Sequence, residues 1–265
     1  MQYNTYYHSA RRIAPAPEKS PAKLWRRTLV LVVIGIGVLA VLDSRAPHAQ
    51  ARAAVAPVVQ YAKAQSVCLD PGHGGSDPGA STNDGTITER DINLIVAKRV
   101  QANLQKDGYR VYMTRTTNGQ TLSNHDRYTY CNAMHATILV SIHHNYFQDS
   151  SVDYASALFY KDQDQALAAD ILNSVATRLH LQNDNISQFD DGVLSESTMP
   201  AALSEGFFIT SDYEYSQLTT AGSTRLNDEA DAITQGIITY FTQPITKRPA
   251  INMNPQQIER DDSGA

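Results

Sequence analysis

The run Thr137-Ile138-Leu139-Val140-Ser141-Ile142 is six residues long, almost wholly apolar, and ends directly on His143-His144. Such a stretch suits a strand covered on both faces, the kind that sits inside a mainly parallel sheet. The surrounding chain alternates strand and helix patterns. Ser66–Asp70 predicts a short strand that enters a glycine-rich turn. Glu89–Asp107 predicts a helix, with Ile92, Val96, Val100 and Leu104 at i+4 steps, Thr88 and Asp91 as a capping pair, and Gly108 as the stop. Tyr109–Thr114 and Ser156–Tyr160 predict strands, and Ser123–Met134 a helix with Ser123 and Asp126 in cap positions. Asp162–His180 carries a stripe of Leu167, Ile171, Val175 and Leu179. Ala201–Phe207 predicts a strand, and Arg225–Phe241 a closing helix with Leu226, Ala230, Ile233 and Ile237 aligned. This order predicts an α/β fold: a twisted, mainly parallel sheet with helices on both faces. Ligands of such sheets bind beyond the carboxyl ends of the strands.

Charge and composition divide the chain further. Residues 1–52 hold eight Lys/Arg against two Asp/Glu, a net +6, and residues 53–265 hold fourteen against twenty-five, a net −11. An acidic body is a poor phosphate binder, so nucleic acid is not an expected partner. Residues 1–27 form a basic, disordered n-region, and 28–42 (TLVLVVIGIGVLAVL) an uncharged stretch. As a helix that stretch spans about 22 Å, against a hydrocarbon core of about 30 Å. Basic flank, short apolar run and small-residue exit read as an export signal, either cleaved or retained as a membrane anchor. Both outcomes place the remainder in the cell envelope, periplasmic or extracytoplasmic. The pair Arg26-Arg27 resembles a twin-arginine signal, with ordinary n-region charge the preferred reading. Residues 43–65 are expected to be a linker, 66–242 one folded domain and 243–265 a disordered tail.

Polar side chains at four places do not belong in a core. His73 lies in Asp70-Pro71-Gly72-His73-Gly74-Gly75, where glycines allow a tight turn. Glu89 opens a helix and can point back into that loop. His143 and His144 follow the buried strand, and because strand neighbours alternate, at most one of them faces the loop. Glu205 ends an apolar strand, where a carboxylate costs several kcal/mol unless paired or neutral. Singly, each has a structural explanation. Together, two histidines and a carboxylate form the ligand set of a catalytic zinc site, and a further carboxylate supplies a general base.

The segments LDPGHGGSDPGA (69–80), Glu89 with Asn93, SIHHN (141–145) and MPAALSEGFF (199–208) resemble the zinc-dependent N-acetylmuramoyl-L-alanine amidases of the type-3 family. The resemblance runs in order over about 66–242. Thr114-Arg115, Arg127 with Asn132, and Tyr240-Phe241 add to it. It implies a sheet of about six strands, one Zn2+ per chain held by His73, Glu89 and His143, and Glu205 as the catalytic glutamate. It further implies hydrolysis of the amide between N-acetylmuramic acid and L-alanine in peptidoglycan, by a zinc-activated water. The partners expected are peptidoglycan and, if the signal is uncleaved, the membrane through 28–42; the chain is expected to act as a monomer.

Some positions depart from that family. His144 stands where a small residue is usual, so it either crowds the site, contacts substrate, supports a ligand, or is a partly exposed strand-end residue. Ser195 replaces a basic residue, and the Thr114-Arg115 pair lacks the usual acidic residue after it. Export would permit a disulfide between Cys68 and Cys131, but their places in a strand and a helix favour buried free thiols. Competing functions are a zinc peptidase acting within the stem peptide and a non-catalytic envelope-binding module. A dinucleotide site is disfavoured, because GHGGSDPG does not fit GxGxxG and Pro78 spoils a phosphate-cradling helix start.

Overall fold

In the computed structural model, residues 63–243 are described. The basic n-region, the apolar segment 28–42, nearly all of the linker and the tail beyond 243 lie outside them. Among the described residues no helix is long and apolar enough to cross a membrane.

Six strands form one sheet: β1 (Ser66–Pro71), β2 (Arg110–Met113), β3 (Ile138–Asn145), β4 (Ala155–Phe159), β5 (Asn183–Gln188) and β6 (Ala201–Phe208). Their order is β2-β1-β3-β6-β4-β5. All neighbours are parallel except β4 and β6, which run antiparallel. The helices are α1 (Glu89–Lys106), α2 (Asn124–Ala133), α3 (Gln165–Leu179), α4 (Asp212–Thr219) and α5 (Arg225–Thr242). A mostly parallel α/β sheet is therefore what the alternation predicts.

Alternation along the strands builds two cores. Val67 and Leu69 of β1 and Ile138, Val140 and Ile142 of β3 face α1, α3 and α5, and the helical stripes at Ile92, Val96 and Val100, at Leu167 and Ile171, and at Ile233 and Ile237 meet them there. Gly236 lets α5 approach α3 closely, because a Cβ there would strike the backbone of Ile171. On the other face Cys68, Leu139, Ala201 and Leu203 meet Cys131 of α2 and Val193, Leu194 and Met199 of the loop before β6.

Several local expectations change. Cys68 and Cys131 are not free thiols but a disulfide, tying β1 to α2 across 63 residues of chain. The strand faces its Cys68 toward the Cys131 face of the helix, and the Cα atoms lie 5.8 Å apart, within reach of a bridge. Thr88 does not cap α1 with its side chain. Its Oγ1 is buried without a partner, and only its carbonyl accepts from Asp91 N at 3.1 Å. Ser123 and Asp126 do form a capping box on α2. β5 (NDNISQ) is a polar edge strand in which only Ile186 is buried, so it lacks the apolar signature of a strand. α4 is a short helix after β6 that hydropathy does not mark.

Candidate active site

β1 and β3 are parallel neighbours and β6 pairs with β3, so their carboxyl ends deliver three segments to one edge of the sheet. The loop after β1 carries His73 at φ 60, in the left-handed region that non-glycine residues seldom occupy. Two buried arginines hold that loop. The Arg115 guanidinium donates to the Pro71 carbonyl at 2.9 Å, to Gly72 O at 2.8 Å and to Arg90 O at 2.8 Å. Arg127 bridges Asp70 (2.8 Å), Pro71 O (3.0 Å) and His73 O (2.9 Å). Backbone carbonyls of a strained turn thus receive charge-assisted hydrogen bonds.

His73, Glu89 and His143 converge. One ligand atom from each lies within 4.8 Å of the others. His73 Nε2 is 3.0 Å from Glu89 Oε2, and His143 Nδ1 is 2.9 Å from Glu89 Oε1. Ligands about 2.0–2.1 Å from a tetrahedral ion stand about 3.3 Å apart, so the set fits a divalent metal with little movement. Asp77 takes the other ring nitrogen of His73 at 2.7 Å, which points Nε2 into the cluster. Glu89 Oε2 also accepts from Ala80 N (3.0 Å), and Oε1 from His144 N (3.1 Å) and Asn93 Nδ2 (3.2 Å). Two glycines make the cradle: a Cβ at Gly72 would fall into the His143 ring, and one at Gly79 would strike His73 and Glu89.

Electrostatics suit a cation. Burial pushes the Glu89 carboxyl up, but its hydrogen bonds and charge contacts with His143 and His73 outweigh this and hold it well below the usual range. Burial lowers His73, yet Glu89 and Asp77 raise it overall. Glu205 is the register partner of His143 across β3 and β6, so both side chains leave the sheet on one face. Its carboxyl is raised well above the ordinary value by burial, then by the charges of Glu89 and Glu229, and its Oε2 is buried without a hydrogen-bond partner.

His144 is not a partly exposed strand end. Its ring lies on the opposite face, wholly buried, against Asn93 and Glu229. Three residues of this neighbourhood are not among the candidates named from the sequence. Asp77 is visible only as an i+4 partner of His73. Asp191, raised by burial and within the field of His143, sits beside Gly192 in the turn before β6. Glu229 leaves a clear trace, a carboxylate on the apolar stripe of Leu226, Ala230 and Ile233.

A mainly parallel sheet that gathers two histidines, a glutamate and a half-buried extra carboxylate at its strand ends has the make-up of a metal-dependent hydrolase. Comparison with known proteins makes the class specific. Residues 67–239 match the family described as N-acetylmuramoyl-L-alanine amidase, and the chain belongs to that family. A probable cell wall amidase, LytH of Staphylococcus saprophyticus, is 29% identical over 189 residues, covering 71% of this chain and 62% of its own length. Among solved structures, the N-acetylmuramoyl-L-alanine amidase AmiC2 of Nostoc punctiforme is 30% identical at a TM-score of 0.63, covering 68% of this chain and 98% of that one. The catalytic domain of CwlV, an N-acetylmuramoyl-L-alanine amidase from Bacillus (Paenibacillus) polymyxa, is 26% identical, also at 0.63, over 67% and 98%.

Proposed function

We propose that this chain hydrolyses the amide between the lactyl group of N-acetylmuramic acid and L-alanine in peptidoglycan, with His73, Glu89 and His143 holding one zinc ion and Glu205 acting as general acid and base. The observation that carries this is the convergence of the three ligands with Glu205 in register beside His143. Imidazole and carboxylate donors without thiolate suit Zn2+. When bound, the ion supplies a Lewis acid for the scissile carbonyl and lowers the pKa of a water beside Glu205. Asp77 and Asn93 keep their ligands aimed. The raised basicity of Glu205 suits a group that must take a proton from the attacking water near neutral pH and return it to the leaving alanine amine. All four groups come from one chain, so a monomer suffices.

The family match and the cell wall amidase relative support peptidoglycan as substrate. The Cys68–Cys131 disulfide supports an extracytoplasmic site of action, since such bonds persist in oxidising compartments. Digestion of purified peptidoglycan by the full chain, before and after chelation, tests the proposal. Amidase action yields free muramoyl lactyl carboxyls and new alanine amino termini and stops on chelation. Cleavage inside the stem peptide, with alanine still on the sugar, would replace it with the peptidase alternative.

A further inference from the structure

His144 and Glu229 form a polar pair at the bottom of the helix-facing core, both side chains fully buried. Nε2 of His144 lies 3.0 Å from Glu229 Oε2, and Nδ1 lies 2.7 Å from Asn93 Oδ1. Asn93 is itself fully buried on α1, and its amide nitrogen donates to Glu89 Oε1 at 3.2 Å and to Gly72 O at 3.3 Å. Both of those partners are acceptors only. The amide must therefore present its nitrogen to them and its oxygen to His144, and His144 must carry a proton on Nδ1. Glu229 closes the far end of the imidazole, its Oε2 facing Nε2. Phe207, 4.3 Å from the imidazole between ring centroids, packs beside it.

A polar pair this deep costs desolvation that an apolar pair of like volume would avoid. What it supplies is orientation. Without a donor at His144 Nδ1, the Asn93 oxygen is unpaired and the amide has no reason to keep its nitrogen on Glu89. We infer that the buried His144–Glu229 pair is a positioning device, holding the Asn93 amide against Glu89 and so fixing the carboxylate of the cation site. The inference rests on reading His73, Glu89 and His143 as that site.

Two variants of the full chain separate positioning from mere packing, read by Zn2+ affinity in chelator competition and by thermal midpoint. His144→Leu/Glu229→Leu removes both polar groups at similar volume. It is expected to keep a midpoint near wild type while Zn2+ affinity falls about 10–100-fold, as outer-sphere losses do. His144→Asn places an amide nitrogen where Nδ1 stood, keeps the donor to Asn93, and strands Glu229. It is expected to lose stability while its affinity stays within about threefold of wild type. A folded double variant that holds Zn2+ as tightly as wild type overturns the inference. So does His144→Asn losing affinity in step with its stability. Absence of Zn2+ binding by the wild-type chain would overturn the cation site itself, whereas tight wild-type binding without amidase products would overturn only the proposed reaction.

Discussion

His143 and Glu205 are in-register partners on adjacent parallel strands, one an imidazole of the convergent cluster and the other a half-buried carboxylate whose buried Oε2 has no hydrogen-bond partner. The sheet's hydrogen-bond ladder, not a flexible loop, sets their spacing. In the proposed reaction, the proton-transfer role given to Glu205 and the cation-binding role given to the three ligands are therefore separable.

Glu205→Gln is expected to lower turnover about 10²–10⁴-fold while zinc content stays at one per chain. Product release from peptidoglycan and metal analysis of the same preparation check this. Near-normal turnover would remove Glu205 from the mechanism.

Gly79→Ala should disable the cluster without unfolding the chain. A Cβ at this position (φ +64) meets both His73 and Glu89. Gly85→Ala is the control, since Gly85 has a similar φ of +72 and open space around it. Both carry a strain of about 1–2 kcal/mol for the left-handed backbone. Only Gly79→Ala should lose zinc affinity by an order of magnitude or more, measured by chelator competition.

Asp70 links the glycine-rich loop to acid stability. Burial alone would raise its pKa, but the Arg127 charge and hydrogen bonds from Thr114, Arg127 and Ser141 hold it below its ordinary 3.8. A carboxyl depressed on folding contributes stability that is present above 3.8 and lost as pH falls through the lower folded value. Arg127→Met leaves the carboxylate buried and unpaired, at a cost of about 3–5 kcal/mol at neutral pH. Denaturant titrations should show that difference shrinking as pH falls, first above pH 3.8 as the variant's buried carboxyl takes up a proton, then below it as the wild type loses the stability held by its depressed carboxyl. A difference independent of pH would detach Asp70 from acid unfolding.

Reducing Cys68–Cys131 should destabilise the domain, because the bond closes a loop spanning 63 residues. Chain-entropy reasoning puts the loss at about 4 kcal/mol, and native disulfides commonly give about 2–5. The thermal midpoint should fall by roughly 10 °C on reduction, with thiol titration confirming two released sulfhydryls. An unchanged midpoint would show that the two cores hold β1 to α2 without help.

Much of the architecture is legible along the chain. The stripes at Ile92–Leu104, Leu167–Leu179 and Ala230–Ile237 mark α1, α3 and α5, because one buried face repeats every three to four residues. The run at 137–142 marks β3, because a doubly covered strand is apolar throughout. β5 is illegible for the converse reason: an edge strand with one buried residue carries no such pattern, and its pairing with β4 is a tertiary event. Thr88 illustrates a local signal that fails, since a cap-type side chain need not take the capping rotamer.

By itself the amino-acid order determined the α/β class, the placing of His73, Glu89, His143 and Glu205 at the ends of its elements, and the opposed directions of His143 and His144. Periodicity and chain connectivity are local properties, and they suffice for that. Only the tertiary structure decided that the first three side chains meet at a point, that Cys68 reaches Cys131, and that the second histidine turns inward onto Glu229 and Asn93. Those are contacts across 16 to 85 positions of sequence, set by strand order and helix packing, and no short-range pattern encodes a distance of that kind.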